Sequence, residues 1–189
     1  MLSPEAIARR DAQRKALAAY MAGSQEHPHE IEFDPDFCVC AVLSPSWWSH
    51  ARFAWRATVA KIAELMPLSP LKVFVYRLLG VRIGRDVFIS PRVVLDPGYP
   101  ALIELEDGAL LGMGCRLFAH ECTATKFRIG RIRVGKGAVV GAYSTVRSGV
   151  TIGEKATVGF NSYVHRDVPA GQTVGGVPAK PLHAVREGD

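Results

Sequence analysis

Four cysteines in 189 residues are too few, and wrongly spaced, for a disulfide scaffold or a zinc module. Cys38 and Cys40 form a Cys-x-Cys, and Cys115 and Cys122 stand apart. No apolar run free of charge reaches the ~18 residues that a membrane-spanning helix needs. The N-terminus, Met-Leu-Ser-Pro-Glu-Ala-Ile-Ala-Arg-Arg, has no apolar core ahead of a cleavage site, which argues against a secretory signal and for a reduced, cytoplasmic setting. Aromatic residues make up only 8% of the chain. The charged fraction of 22% and the mean hydropathy of +0.10 argue against a disordered or coiled-coil chain.

What is present is unevenly spread. Sixteen of the 18 Gly and 15 of the 20 Val lie in residues 81–189, whereas Trp47, Trp48 and Trp55 all precede residue 80. Two differently built parts therefore meet near Gly80: a helical segment over 1–80 and a second unit over 81–182, with a short tail at 183–189. The net charge of +5 is focal. Arg116, Lys126, Arg128, Arg131, Arg133 and Lys136 face one acid, Glu121, within 116–136. With only Phe118 and Phe127 beside them, these residues read as a local field for a small anionic molecule, and no nucleic-acid partner is expected.

Ser3-Pro4, an Ala-rich stretch to Met21 and then Gly23 predict a capped helix. Residues 24–45 have no period and read as loop. From Trp47 to Leu65, Trp47, Ala51, Trp55, Val59 and Ile62 recur every three to four positions, with Arg52, Arg56 and Lys61 on the other face. Ser69-Pro70 opens a further helix with Leu71, Phe74, Val75, Leu78 and Leu79 on one face, closed by Gly80. Basic, Trp-bearing helices suit a membrane surface; packing of these apolar faces on the body or on a neighbouring subunit is the expectation preferred here.

After Gly80 the rhythm changes to six. Units of six start at Ile83, Ile89 and Leu95, at Leu105, Leu111 and Leu117, and then without a break at Val134, Val140, Val146, Ile152, Val158 and Val164. The second position is often Gly, which reads as serving the tight backbone at the corner. The fifth is small or β-branched except at Tyr99 and Glu121, each in the unit just before the rhythm is interrupted. One such unit cannot bury its aliphatic residue alone, so coils must stack with like positions in ladders roughly 4.8 Å apart. The unit is thus a solenoid with a narrow interior that has no room for aromatic rings. Residues 101–104 and 123–133 are insertions, and loops that leave a rigid scaffold are where sites are built.

Residues 70–182 resemble the hexapeptide-repeat acyltransferases. The lead-in Tyr76-Arg77-Leu78-Leu79-Gly80-Val81-Arg82-Ile83-Gly84 carries the likeness. So do Leu117-Phe118-Ala119-His120-Glu121, Val164-His165-Arg166-Asp167-Val168-Pro169 and the closing Gly175-Gly176-Val177-Pro178-Ala179-Lys180-Pro181, which is similar to the end of the maltose and galactoside O-acetyltransferases. The resemblance implies an all-β solenoid, a left-handed parallel β-helix of three hexapeptides per coil preceded by the helical segment. It also implies acetyl-CoA as acyl donor, a small and sugar-like hydroxyl or amine acceptor, no metal, and a homotrimer with active sites between subunits.

His120 matches the family's catalytic histidine, and an imidazole with a pKa near 6.5 suits a base that takes a proton from the acceptor at neutral pH. Glu121 reads either as an acceptor contact or as a charge left where the coil breaks into the loop. Asp96 lies one coil below His120, roughly 8 Å away by strand spacing and rise; it reads equally as a substrate contact and as the turn residue of Leu95-Asp96-Pro97-Gly98. Ala142 and Phe160 match positions whose backbone holds CoA, while Arg166 and Lys180 would meet its phosphates beside His165. Phe160 departs from the small residue usual in the family. A non-catalytic solenoid scaffold is a second reading. A carbonic-anhydrase-like zinc enzyme on the same solenoid is a third, and it needs three histidines where the repeats supply only His120 and His165.

Overall fold

An aliphatic residue every sixth position makes each unit a two-residue strand and a corner, and the chain winds accordingly. The computed structural model describes residues 4–23, 27–32, 47–123 and 126–182. Three parallel ladders form the walls of the solenoid. Ile83, Leu105, Val134 and Ile152 are in register on one wall. Ile89, Leu111, Val140, Val158 and Val174 share the second, and Leu95, Leu117, Val146 and Val164 the third. All twelve unit starts therefore fall in phase, and Val168 and Val174 add part of a further coil. Eleven of the twelve are buried, Ile83 partly so, and so are the small fifth positions from Val87 to Val168. Cys115 is one of these, and burial pushes its thiol up to about 12, which leaves it an inert core group.

The corners correct one reading of the repeat. The left-handed backbone falls at the fourth position in nine of the twelve units, as at Tyr143 (φ 59°) and Gly149 (φ 79°), the exceptions being Gly98, His120 and Asp167. The second-position glycines serve coil stacking instead: a Cβ on Gly112 would meet Ala142 N at 2.6 Å, and one on Gly141 would meet Val158 O at 2.6 Å.

Helix α1 spans Pro4–Ala22, α2 Trp47–Leu65 and α3 Ser69–Leu78. The Ser3 cap, Cys38, Cys40 and the 183–189 tail lie outside the described residues. Gly80, at φ 101°, ends α3 as expected. The apolar faces of α2 and α3 expected to pack inward are largely turned out, with only Val59, Val75 and Leu79 of those residues partly buried. Helix α3 buries Ser69, Lys72, Val73 and Tyr76, and α2 buries Ala60 and Ala63, while Trp55, Ile62, Leu71, Phe74 and Leu78 stay exposed.

The cause is the open edge of the first coil, a row of backbone groups with no coil beneath it. Ile89 N–H donates to Ser69 Oγ (2.9 Å), Lys72 Nζ donates to Ser90 O (2.6 Å), and the Tyr76 hydroxyl donates to Val93 O (3.0 Å). The Arg77 guanidinium reaches Ile83 O (3.0 Å) and Gly84 O (2.5 Å). A coil edge asks for donors and acceptors, so the polar face of α3 turns in. Burial lowers the Lys72 ammonium below the ordinary lysine range, against the pull of Glu64.

Two further expectations change. Residues 24–45 are not all loop: His29–Glu32 is a strand, and part of the rest lies outside the described residues. The insertion at 123–133 is a hairpin in which His120–Cys122 pairs antiparallel with Lys126–Ile129, and His29–Glu32 pairs with the outer edge of that hairpin. Phe127 and Ile129 are fully buried beneath it.

Candidate active site

His120 is the first residue of that hairpin, where the third wall of the second coil turns outward. Its imidazole is about one-third exposed, with Nδ1 2.5 Å from the Asp96 Oδ2. Straight-strand arithmetic puts the two too far apart for a direct bond. The coil bends between them, and Asp96 folds into its own turn. Fully buried, the Asp96 carboxylate accepts N–H groups from Gly98 (2.8 Å), Tyr99 (3.4 Å) and His120 (3.1 Å) in addition to the ring. A carboxylate surrounded by donors accepts from Nδ1–H, so the tautomer is fixed and the Nε2 lone pair is left to face outward.

Tyr99 stands edge-on to the His120 ring at 5.2 Å, and Phe127 from the hairpin lies at 5.9 Å. Burial, followed by the Asp96 charge, raises the Tyr99 hydroxyl above its ordinary pKa, so it stays a neutral phenol. Space beside Gly98 is tight: a Cβ there would lie 3.2 Å from Asp96 Oδ1, so the Asp96 carboxylate would have to shift slightly to admit it. Tyr99 was not recognised from the sequence as part of the site. Its only signal was its size at a position otherwise reserved for small residues. Glu121, the other exception, belongs to the same corner.

Glu121 is not among the residues that line the cavity beside His120. Its carboxylate takes both Oε contacts from Arg147 Nε (2.9 Å each), together with Ser148 N–H (3.2 Å) and Ser148 Oγ (2.8 Å). Adjacent residues on an extended strand point to opposite faces, so turning His120 outward sends Glu121 to the neighbouring coil. Burial raises the Glu121 pKa, but the bonds from Arg147 and Ser148 outweigh it and hold the carboxyl below the ordinary range.

The imidazole opens into a cavity of about 550 Å³ between the solenoid and the helices. Its solenoid side is Gly98, Tyr99, Pro100, Ala101 and His120, with Ala101 supplied by the insertion after the first coil. Helix α2 contributes Ser49, His50, Arg52, Phe53 and Arg56, and Met21, Leu79 and Gly80 complete the lining. The site is therefore bounded by the N-terminal segment as well as by the repeats, with two guanidiniums on an otherwise largely apolar wall.

The other expected site residues fall elsewhere. His165, Arg166 and Lys180 line a cleft of about 320 Å³ with Asp167, Gln172 and Pro178. His165 Nδ1 is buried and finds no hydrogen-bond partner among the described residues, which marks that cleft as able to hold a polar ligand. Ala142 and Phe160 occupy equivalent corner positions on successive coils. Ala142 O accepts from Asn161 N–H (2.9 Å), and the Phe160 ring is 80% exposed. None of these five residues borders the His120 cavity. Among the described residues no three His, Cys, Asp or Glu side chains converge as a metal site would require.

The repeats themselves match a known pattern. Residues 131–166 fit the bacterial transferase hexapeptide model of six repeats. A Bacillus subtilis protein named as an acetyltransferase, YvoF, is 32% identical over 130 residues, spanning 68% of this chain and 76% of its own. The galactoside O-acetyltransferase of Escherichia coli is 26% identical over 110 residues, 58% of this chain and 46% of its own. The solved hexapeptide-repeat acetyltransferase VCA0836 of Vibrio cholerae shares the fold, with a TM-score of 0.62 at 22% identity over 75% of this chain and 95% of its own. That protein has also been solved with acetyl coenzyme A (TM-score 0.58, 22% identity, 75% and 91% covered). With a shared repeat, a shared solenoid and a relative matched over most of its length, this chain belongs to the hexapeptide-repeat acyltransferase family and folds as its left-handed parallel β-helix.

Proposed function

We propose that the chain is an acetyl-CoA-dependent acetyltransferase in which His120 is the general base. The observation that carries this reading is the Asp96–His120 pair at the mouth of the 550 Å³ cavity. A buried carboxylate that fixes one ring nitrogen and leaves the other facing a substrate-sized space is the arrangement a general base needs. Acetyl-CoA as donor rests on the family and on the Vibrio cholerae complex.

The acceptor, a hydroxyl or an amine, would lie in the His120 cavity, and its proton passes to His120 Nε2 as the new bond to the acetyl carbon forms. His120 then returns that proton to the departing thiolate sulfur, so the products are the acetylated acceptor and free CoA. Asp96 stabilises the imidazolium in between and keeps its orientation. In the same reading Arg166 and Lys180 meet the donor's phosphates at the His165 cleft. Ala142 and Phe160 lie along the donor's path, and a neighbouring subunit of a trimer closes the groove. A sugar-like acceptor follows from the maltose and galactoside likeness of the C-terminal motif, and Arg52 and Arg56 suit an acceptor that carries negative charge.

Two measurements test this. Free CoA at millimolar concentration raises the melting temperature, because a ligand that binds only the folded state stabilises it; no shift favours the scaffold reading instead. His120→Ala keeps that shift and loses roughly 10²–10⁴-fold in turnover, the usual share of a general base, as read by thiol release across an acceptor panel. Undiminished turnover removes His120 from its role.

A further inference from the structure

Ser49, Arg52, Phe53 and Arg56 stand at the three-, four- and seven-residue spacings that make one stripe of a helix. All four line the His120 cavity, so this is the stripe that α2 gives to the site. Phe53 shows how near it comes. Its Cε2 and the His120 Cε1 lie 3.6 Å and 3.5 Å from one point, the place a Cβ on Gly98 would take. The ring therefore meets the imidazole across Gly98, with Arg52 one residue before it and Arg56 almost a turn after.

The charge on this wall has one sign. No Asp or Glu lines the cavity, and Asp96 is fully buried and taken up by four N–H groups. Arg77, Arg128, Arg131 and Arg147 are each bonded to a carbonyl or a carboxylate. Among the described residues Arg52 and Arg56 have no hydrogen bond or ion pair. Like charges four residues apart on a helix repel, and an anion between the two guanidiniums removes that cost.

We infer that Arg52 and Arg56 form an anion subsite of the His120 cavity and that the acceptor carries a phosphoryl group there. The acceptor half rests on the acetyltransferase reading; the subsite does not. Charge selects phosphoryl over carboxylate. A phosphate monoester or a diphosphate carries about two negative charges at neutral pH, to match two guanidiniums. Geometry agrees, since about three or more terminal oxygens can take both forks at once, whereas one fork fills the two oxygens of a carboxylate. The apolar wall of Met21, Leu79, Pro100 and Phe53 keeps water from the ion contact and strengthens it. At about 550 Å³ the cavity has the size of a small-molecule site. The phosphoryl group sits on α2, and the hydroxyl or amine of the same molecule lies at His120 Nε2. Arg166 and Lys180, assigned to the donor, line a different cleft.

Melting of the full chain with CoA in excess tests the subsite without any acetyl transfer. Millimolar inorganic phosphate or pyrophosphate is expected to raise the melting temperature, and sodium chloride of equal ionic strength is not. The double variant Arg52→Gln, Arg56→Gln loses a repulsion, so it should melt no lower than wild type and keep its response to CoA. It should need about tenfold or more phosphate for the same shift, the loss of one charged hydrogen bond or more. Arg166→Gln with Lys180→Gln should leave the phosphate response as it is. No phosphate shift in wild type, a shift equalled by chloride, or one undiminished in the first variant overturns the subsite. Loss of the CoA response in that variant also overturns it, because the arginines would then belong to the donor. Transfer to an amino sugar, its phosphate monoester and its nucleotide diphosphate reads the acceptor. Wild type should use a phosphorylated form with about tenfold or more higher kcat/KM, and the first variant should lose that preference. The better of the two forms tells monoester from diphosphate; equal use of the free sugar overturns the acceptor assignment. Phosphate binding through Arg52 and Arg56 with no transfer to any acceptor removes the acetyltransferase reading, and the acceptor with it, while the subsite stands.

Discussion

Asp96 is fully buried with four N–H groups converging on its carboxyl oxygens, three from the backbone and one from the His120 ring. That makes it a positioning residue with two separable effects. Asp96→Asn can keep a backbone bond through its carbonyl, but its amide can also donate to Nδ1 and so favour the opposite tautomer, with the proton on Nε2. The variant is expected to lose ~100-fold or more in kcat, within the range of general-base effects, with the KM for acetyl-CoA little changed. The imidazole nitrogen shifts in an NMR spectrum should report the tautomer switch. A loss that merely tracks a lower melting temperature, with the tautomer unchanged, would show that Asp96 only builds the turn. Glu121 predicts a pH effect of definite sign. Its carboxyl titrates lower in the folded than in the unfolded chain. The stabilisation is therefore present above the ordinary carboxylate pKa and is lost as pH falls through the folded value. Unfolding free energy should fall in acid, and Glu121→Gln should flatten that part of the profile; an unchanged slope in denaturant titrations would contradict the assignment.

Helix α3 shows why an amphipathic pattern gives a face but not its direction. The apolar period of Leu71, Phe74 and Leu78 is plain in the sequence, and the usual rule sends such a face inward. Here the surface to be covered is a coil edge of unpaired backbone groups, so Ser69, Lys72, Tyr76 and Arg77 take the inner side. No linear pattern announces that demand, because it arises only once the first coil has closed. If the helix is a polar cap, single hydrogen bonds should matter. Tyr76→Phe keeps the buried ring, leaves Val93 O without its donor, and should cost about 1–3 kcal/mol, the penalty of an unsatisfied buried acceptor, as measured by chemical denaturation. A neutral result would mean that packing alone holds the helix. The hairpin after His120 was legible as an insertion next to the site. Its strand partner was not, because His-Glu-Ile-Glu at 29–32 buries only Ile31 and is too short for its alternation to stand out.

For the whole molecule, the repeat was the most legible level. A ladder fixes every sixth residue in one phase, so a break in register would misplace all the aliphatic side chains above it, and the pattern in the sequence has to be strict. The site was legible only where it coincided with that pattern. His120 stood out because the rhythm stops beside it. Asp96 was recognised as close but not as bonded, since a bend at a corner is invisible to strand spacing. The α2 wall of the cavity was missed altogether, because nothing in the order of residues ties Arg52 and Phe53 to a histidine in the second coil. The strand His29–Glu32 carries this dependence furthest. Its register, His29 with Ile129 and Glu32 with Lys126, joins two segments about a hundred residues apart in the chain. Contacts of such long sequence separation form late. The wall behind His120 can therefore be completed only after residue 129 has been synthesised, and a change in the His29–Glu32 segment would be felt at His120.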